Sequence, residues 1–253
     1  TNGNKQTVAL VAYGQNAVFI NNQTITANTK WNSSLPYIVY KSVTVASNAT
    51  LTILPGTKVL FHSNSGMHIK GTLLANGTPA SPVLFSGDRT ERIYADEPGQ
   101  WNGLHFYSSS SNSKLHYAVV KNAIIGLTVD SLSKTQTPRL SLTNSIVKNM
   151  TIAGFVGYNA HLNAFNNLFY NAGQYLLYGV SGGKYNLKQN TFAGYNAKFS
   201  RRTPALYFSD LSNALPARNL QLLLMNNIIW GSLTEELLID KKTTAGIDAE
   251  VSN

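Results

Sequence analysis

The feature that most limits what this chain can fold into is a recurrence of short apolar pairs, each at positions i and i+2. In the first half they are Val43/Val45, Leu51/Ile53, Val59/Phe61, Met67/Ile69, Leu73/Ala75 and Val83/Phe85. Alternation with period two puts both members of a pair on one face of a strand. Between the pairs lie Asn48-Ala49, Pro55-Gly56, Asn64-Ser65-Gly66 and Asn76-Gly77, residues that favour chain reversal or bends. The first members are 8, 8, 8, 6 and 10 residues apart, so three steps, from Val43 to Met67, cover 24 residues.

The second half keeps that length in another register. Asn, any residue and a large apolar residue recur as Asn144-Ser145-Ile146, Asn166-Asn167-Leu168, Asn190-Thr191-Phe192 and Asn226-Asn227-Ile228, spaced by 22, 24 and 36. A second series, Asn122, Asn149 and Asn171, lies three residues after an apolar position. A unit of about 22–24 residues with three short strands describes a solenoid whose turns stack on one another. Such a coil buries like side chains over like. A buried amide survives there only when hydrogen-bonded, so both Asn series read as structural ladders closing the bends. An antiparallel sandwich needs hairpin signals between strands and no in-register Asn. Leucine-rich repeats need a fixed leucine frame that is missing here. The fold expected is all-β, a right-handed parallel β-helix of three-strand coils with two loop insertions. Its divisions are 1–36 as cap or first coil, 37–240 as repeat coils and 241–253 as a tail.

From about Tyr37 to Ile239 the chain resembles bacterial right-handed β-helix surface proteins of the pectin-lyase-like superfamily, many of them lipoproteins of gut Bacteroidetes. The resemblance rests on Leu51-Thr52-Ile53-Leu54-Pro55-Gly56-Thr57, on Gly71-Thr72-Leu73-Leu74-Ala75-Asn76-Gly77-Thr78, and on Gln100-Trp101-Asn102-Gly103-Leu104 leading into the next coil. It implies a scaffold exported to the cell surface or outer membrane, with any lipid anchor outside this sequence, and leaves the activity open because fold does not determine function.

Composition narrows the chemistry. Charged residues make up only 12%, against about a quarter in ordinary globular domains. Asn, Ser, Thr, Tyr and Gly supply the polar surface instead, and they suit turns and β-edges. The absence of cysteine excludes disulfides, zinc–thiolate sites and Cys nucleophiles. No run of 18 or more apolar residues occurs, and the first residues do not read as a signal peptide, so the sequence reads as a mature form. The formal charge is +9, and from Ser131 to Ser232 nine basic residues face one acid, Asp210. A basic surface favours anionic partners. The expected partner is an acidic glycan or an outer-membrane protein rather than nucleic acid, and no cofactor is expected.

Two segments interrupt the repeat, and solenoid insertions commonly decorate one face. The first, 86–100, carries Arg89, Glu91 and Arg92 and leads into Trp101. Its carboxylates suit glycoside hydrolysis or a hard cation, or else a solvated loop closed on its own Arg–carboxylate pairs. The second, 193–219, carries Tyr195, Lys198, Phe199, Arg201, Arg202, Tyr207, Phe208 and Arg218. Aromatics that stack on sugar faces, mixed with arginine forks that grip carboxylates, are what an acidic-glycan site needs; the plainer reading packs Tyr207 and Phe208 on the coil. The ligand-binding set expected is therefore Arg89, Glu91, Arg92, Trp101, Arg201, Arg202, Tyr207 and Arg218. His68 and His105 are expected to point outward on successive coils, without a third ligand for a metal. Asp-Asp and Gly-His-Gly are absent, and no catalytic set is assigned.

Overall fold

A computed structural model describes residues 3, 5, 7–9, 14, 16–195, 201–213 and 215–252. Among them, 23 strands join through parallel pairs only. They wind as a right-handed parallel β-helix of nine coils with three sheets, one per side. The first sheet runs from 18–21 to Ile228–Trp230, the second from 23–25 to Leu237–Asp240, and the third from Thr29–Trp31 to Ile247–Ser252. Four strands are long enough to turn a corner. Val18–Ile25 and Tyr37–Val45 each serve the first and second sheets and bend at Asn22 and Lys41, both with positive φ. Ala153–Phe165 and Tyr175–Lys188 each serve the second and third sheets and bend at Asn159 and at Ser181-Gly182-Gly183, all with positive φ. Among the described residues no helix is long and apolar enough to cross a membrane.

The period-two pairs form the core. All six, from Val43/Val45 to Val83/Phe85, are fully buried. Inward columns run the length of the solenoid. One reads Trp31, Ile53, Ala75, Leu115, Leu142, Ala164, Leu187, Leu224 and Val251. Each member covers its neighbour one strand spacing away, about 4.8 Å, so apolar burial repeats coil by coil. Where the buried Tyr185 ring enters this core, Gly157 and Gly179 stand beside it. A Cβ on either would come within 2.8 Å of the ring or its hydroxyl, so only glycine leaves the room.

The Asn series differ in one place from the sequence reading. Asn144, Asn166 and Asn226 share a bend position, with φ of 52°, 54° and 53°, but the coil between them places Gln189 there (φ 55°), not Asn190. Asn190 belongs to the next column inward, Ser145, Asn167, Asn190 and Asn227. There Asn167 Oδ1 accepts from Ser145 N (2.9 Å), Asn190 Oδ1 from Asn167 N (3.0 Å), and Asn227 Oδ1 from Asn190 N (2.9 Å). Ile146, Leu168 and Ile228 point outward, and Val147, Phe169, Phe192 and Ile229 form the inward column. At the other bend Asn149 Nδ2 donates to Asn122 Oδ1 (3.3 Å) and Asn171 Nδ2 to Asn149 Oδ1 (3.2 Å). Asn tolerates the left-handed bend and its amide spans to the next coil, so one residue type meets both demands.

The segment after residue 240, expected as a tail, does not fold back. Ile247–Ser252 pairs with Leu220–Met225 and completes the ninth coil.

Candidate functional site

The outer face of the second sheet carries the densest functional chemistry. Its register fixes an outward column of Thr44, His68, His105, Thr128, Val156, Tyr178, Tyr207 and Leu238. Two residues further along each strand, Asp130 pairs with Tyr158. The column therefore changes from histidine on early coils to tyrosine on late ones, with Asp130 and Tyr158 beside the change.

At the early end, His105 Nε2 lies 2.8 Å from Asp130 Oδ2, and both side chains are about one-third exposed. The His105 ring stacks on Tyr107 with centroids 4.1 Å apart, and Tyr107 OH lies 3.1 Å from His68 Nδ1. Burial, then the neighbouring His105 and Lys70, holds His68 below the usual histidine range. At the late end, Tyr178 stacks on Tyr207 (5.3 Å, 17° between planes), and Tyr175 lies 4.6 Å from Tyr178. All three rings are partly exposed. Tyr207 OH donates to Asp240 Oδ2 at 2.9 Å; burial, then that bond, pushes its phenol up to about 12.

Between the two ends the surface is hollow. A cavity of about 460 Å³ is lined by Ser108, Asp130, Ser131, Tyr158, Asn159 and Arg218 among others. Around the corner, toward the third sheet, a second cavity of about 520 Å³ is lined by Lys134, Gln136, His161, Lys184, Asn219 and Gln221 among others. Both are shaped by segments that leave the second sheet at one corner. The 131–139 segment is drawn together by buried Arg139, whose guanidinium donates to the carbonyls of Ser131, Leu132, Tyr107 and Ser110 and to Ser131 Oγ. Opposite it, the segment carrying Arg218 is pinned by Ser181, whose amide donates to Leu211 O and whose hydroxyl donates to Pro216 O.

The residues expected to bind ligand do not converge. Trp101 is fully buried, stacks on Phe61 (4.1 Å, 5° between planes) and donates Nε1–H to Lys121 O at 2.8 Å, so it is core and offers no face to a ligand. Arg201 is buried as well. Its Nη2 donates to both Glu236 oxygens at 2.7 and 2.6 Å, which leaves no fork for an external anion. Arg202 is exposed beside it. Arg89 pairs with Glu91 at 3.0 Å and lies over the Tyr94 ring, and Arg92 opens the single 3₁₀ turn of the same insertion. Asp96 ties that insertion to Lys148 and Asn149. Lys198 and Phe199 lie outside the described residues. Of the expected set only Tyr207 and Arg218 border the second sheet's outer face, Tyr207 on the sheet and Arg218 at the cavity.

Sequence reasoning missed Asp130, Tyr158, Tyr178, Lys184 and His161 as members of one surface. The available signal was the coil containing 131–139, in which Tyr117 lies 27 residues before its ladder partner Asn144 rather than 22. That segment is a third insertion. Among the described residues no three His, Cys, Asp or Glu side chains group as metal ligands. Comparison with protein-family models, curated proteins and solved structures finds no significant match to the chain.

Proposed function

We propose that this chain is a β-helix that binds glycan at a cell surface or outside the cell, with the sugar chain lying along the outer face of the second sheet. The observation that carries the reading is a run of partly exposed aromatic rings, Tyr175, Tyr178 and Tyr207, on the same sheet face as a cavity that presents Asp130, Tyr158 and Arg218. Tyrosine offers an apolar ring for the C–H face of a pyranose and a hydroxyl at its edge. Asp130 and Arg218 add an acceptor and a fork of donors for sugar hydroxyls. An outer-membrane location, a lipid anchor and assembly with a membrane partner come from the resemblance to Bacteroidetes-type surface proteins and belong to the same proposal.

The test is retention on a broad oligosaccharide array followed by calorimetry. Tyr178→Ala should weaken binding about tenfold, or about 1.4 kcal/mol, while the variant still unfolds in one cooperative transition. Absence of binding across the array, or equal affinity of the variant, refutes the reading.

The His105–Asp130 pair at the cavity rim favours a second reading, a carbohydrate-active enzyme using the pair for proton transfer. It predicts release of unsaturated or reducing ends from uronate-rich glycans, lost in His105→Ala. Intact glycan after prolonged incubation refutes it.

A further inference from the structure

We propose that the recess between 131–139 and 215–219, over the third sheet, is an anion subsite that takes the sulfate or carboxylate of an acidic sugar; this rests on the glycan reading of the adjoining cavity. The two hollows lie side by side. Their linings alternate along the chain, Ser131 with Leu132, Asn159 with His161, and Arg218 with Asn219. One ligand that follows the corner meets both.

The recess is built for negative charge. Lys134 and Lys184 line it, with Gln136, Asn219 and Gln221 as amide donors, and no carboxylate is among its lining residues. Behind Ser131 and Leu132 lies the Arg139 guanidinium, itself 2% exposed. Its hydrogen-bond partners are carbonyls and one hydroxyl, and among the described residues no carboxylate pairs with it. Carbonyl dipoles solvate a guanidinium without neutralising it, Asp130 attracts it only through space, and burial lets the remaining field extend further than it would in water. His161 reports the result. After burial, the charges of Lys184 and Arg139 are what hold its imidazole below the usual range, so two cations act at the floor of one recess. The acids nearby are accounted for. Asp130 pairs with His105 on the second sheet, and Asp248 and Glu250 line the next hollow along, which shares Lys184 and Gln221 with the recess. The register Lys184, Gln221, Asp248 puts Asp248 two strands from Lys184, about 10 Å away. An oxyanion in the recess meets Lys134 and Lys184 directly and feels Arg139 through its longer-range field.

Two measurements test this. In the first, the His161 imidazole resonance is followed by NMR while sodium sulfate replaces sodium chloride at constant ionic strength. A saturable shift, abolished by Lys134→Ala with Lys184→Ala, is expected; a shift that does not saturate, or that persists in the double variant, overturns the subsite. In the second, affinities are measured for a sulfated oligosaccharide and its desulfated form, and for a uronate oligosaccharide and its carboxyl-reduced form. The wild-type chain should prefer one charged form about a hundredfold, which identifies sulfate or carboxylate. The double variant should lose that preference and keep its affinity for the neutral form. Equal binding of charged and neutral forms overturns the subsite and leaves the glycan reading standing. If no oligosaccharide binds, the glycan reading falls and the sulfate titration alone decides the subsite.

Discussion

Replacement of Asn190 by Ala isolates the energetic role of the buried amide column. Asn190 is 1% exposed. Its Oδ1 accepts from Asn167 N at 3.0 Å and Asn167 Nδ2 at 2.9 Å, and its Nδ2 donates to Ala164 O and Asn227 Oδ1, both at 3.0 Å. After truncation, Asn167 Nδ2 keeps Leu142 O and Asn227 Oδ1 keeps the Asn190 amide. Asn167 N–H loses the side-chain oxygen it donates to, in a dry interior. Ala164 O stands in the ladder at the Phe165–Lys188 pair and keeps its strand partner, so Asn167 N–H alone is orphaned. An unsatisfied buried group costs about 1–3 kcal/mol, and Asn190→Ala should lower stability by about 2 kcal/mol. The control is Asn166→Gly. Asn166 is exposed, holds φ at 54° and donates one bond to Asn144 Oδ1 that water can replace. Glycine accepts that backbone freely, so the change should stay within about 1 kcal/mol. Urea unfolding at matched m-values gives both numbers. If Asn190→Ala costs no more than Asn166→Gly, the column is packing and not hydrogen bonding, and the account of the bends fails.

Glu236→Gln should cost about 3–5 kcal/mol, because it strands the buried Arg201 guanidinium without its carboxylate; Arg201→Met with Glu236→Met should cost less than the single change, which double-mutant denaturation checks. Asp210 is fully buried and accepts from Thr243 Oγ1 (2.6 Å), Lys242 N and Thr243 N. Burial alone raises its pKa, but those bonds outweigh it and hold the folded value below the usual 3.8. Its contribution is therefore present above 3.8 and is lost as pH falls through the lower folded value. The stability gap between wild type and Asp210→Asn should narrow over that acid range; a gap that widens there refutes the assignment.

What was legible in the sequence was what the coil repeats. Val43/Val45 and Leu51/Ile53 announce themselves because a stacked core demands the same parity on every turn. Asn190 was misplaced by one residue because alignment by identity matched it to Asn166 and Asn226, whereas the bend itself is held by Gln189. Parity makes such a slip costly, since one residue turns an inward side chain outward. Arg201 and Trp101 failed for another reason. Residue type does not reveal direction inside an insertion, and the groups that bury them, Glu236 and Phe61, lie 35 and 40 positions away. Asp130, Tyr158 and Tyr178 become neighbours only once the register across three coils is known.

The same geometry separates the parts of the molecule that are constrained from those free to carry function. Inward columns and bend amides must match on every coil, so they hold the coils in stack and leave little scope for recognition. Outward positions carry no such demand, and here one column passes from His68 and His105 to Tyr178 and Tyr207 without disturbing the strand beneath. From His105 to Tyr207 is four strand steps, about 19 Å. No single sugar ring covers that length, whereas an extended chain along the helix axis does. The insertions at 131–139 and 215–219 rise at one corner of that track, where the positive charge gathers. A ligand that used the whole surface would then be an oligosaccharide gripped by rings along its length and read for charge at one point, so length and charge would be selected by separate residues.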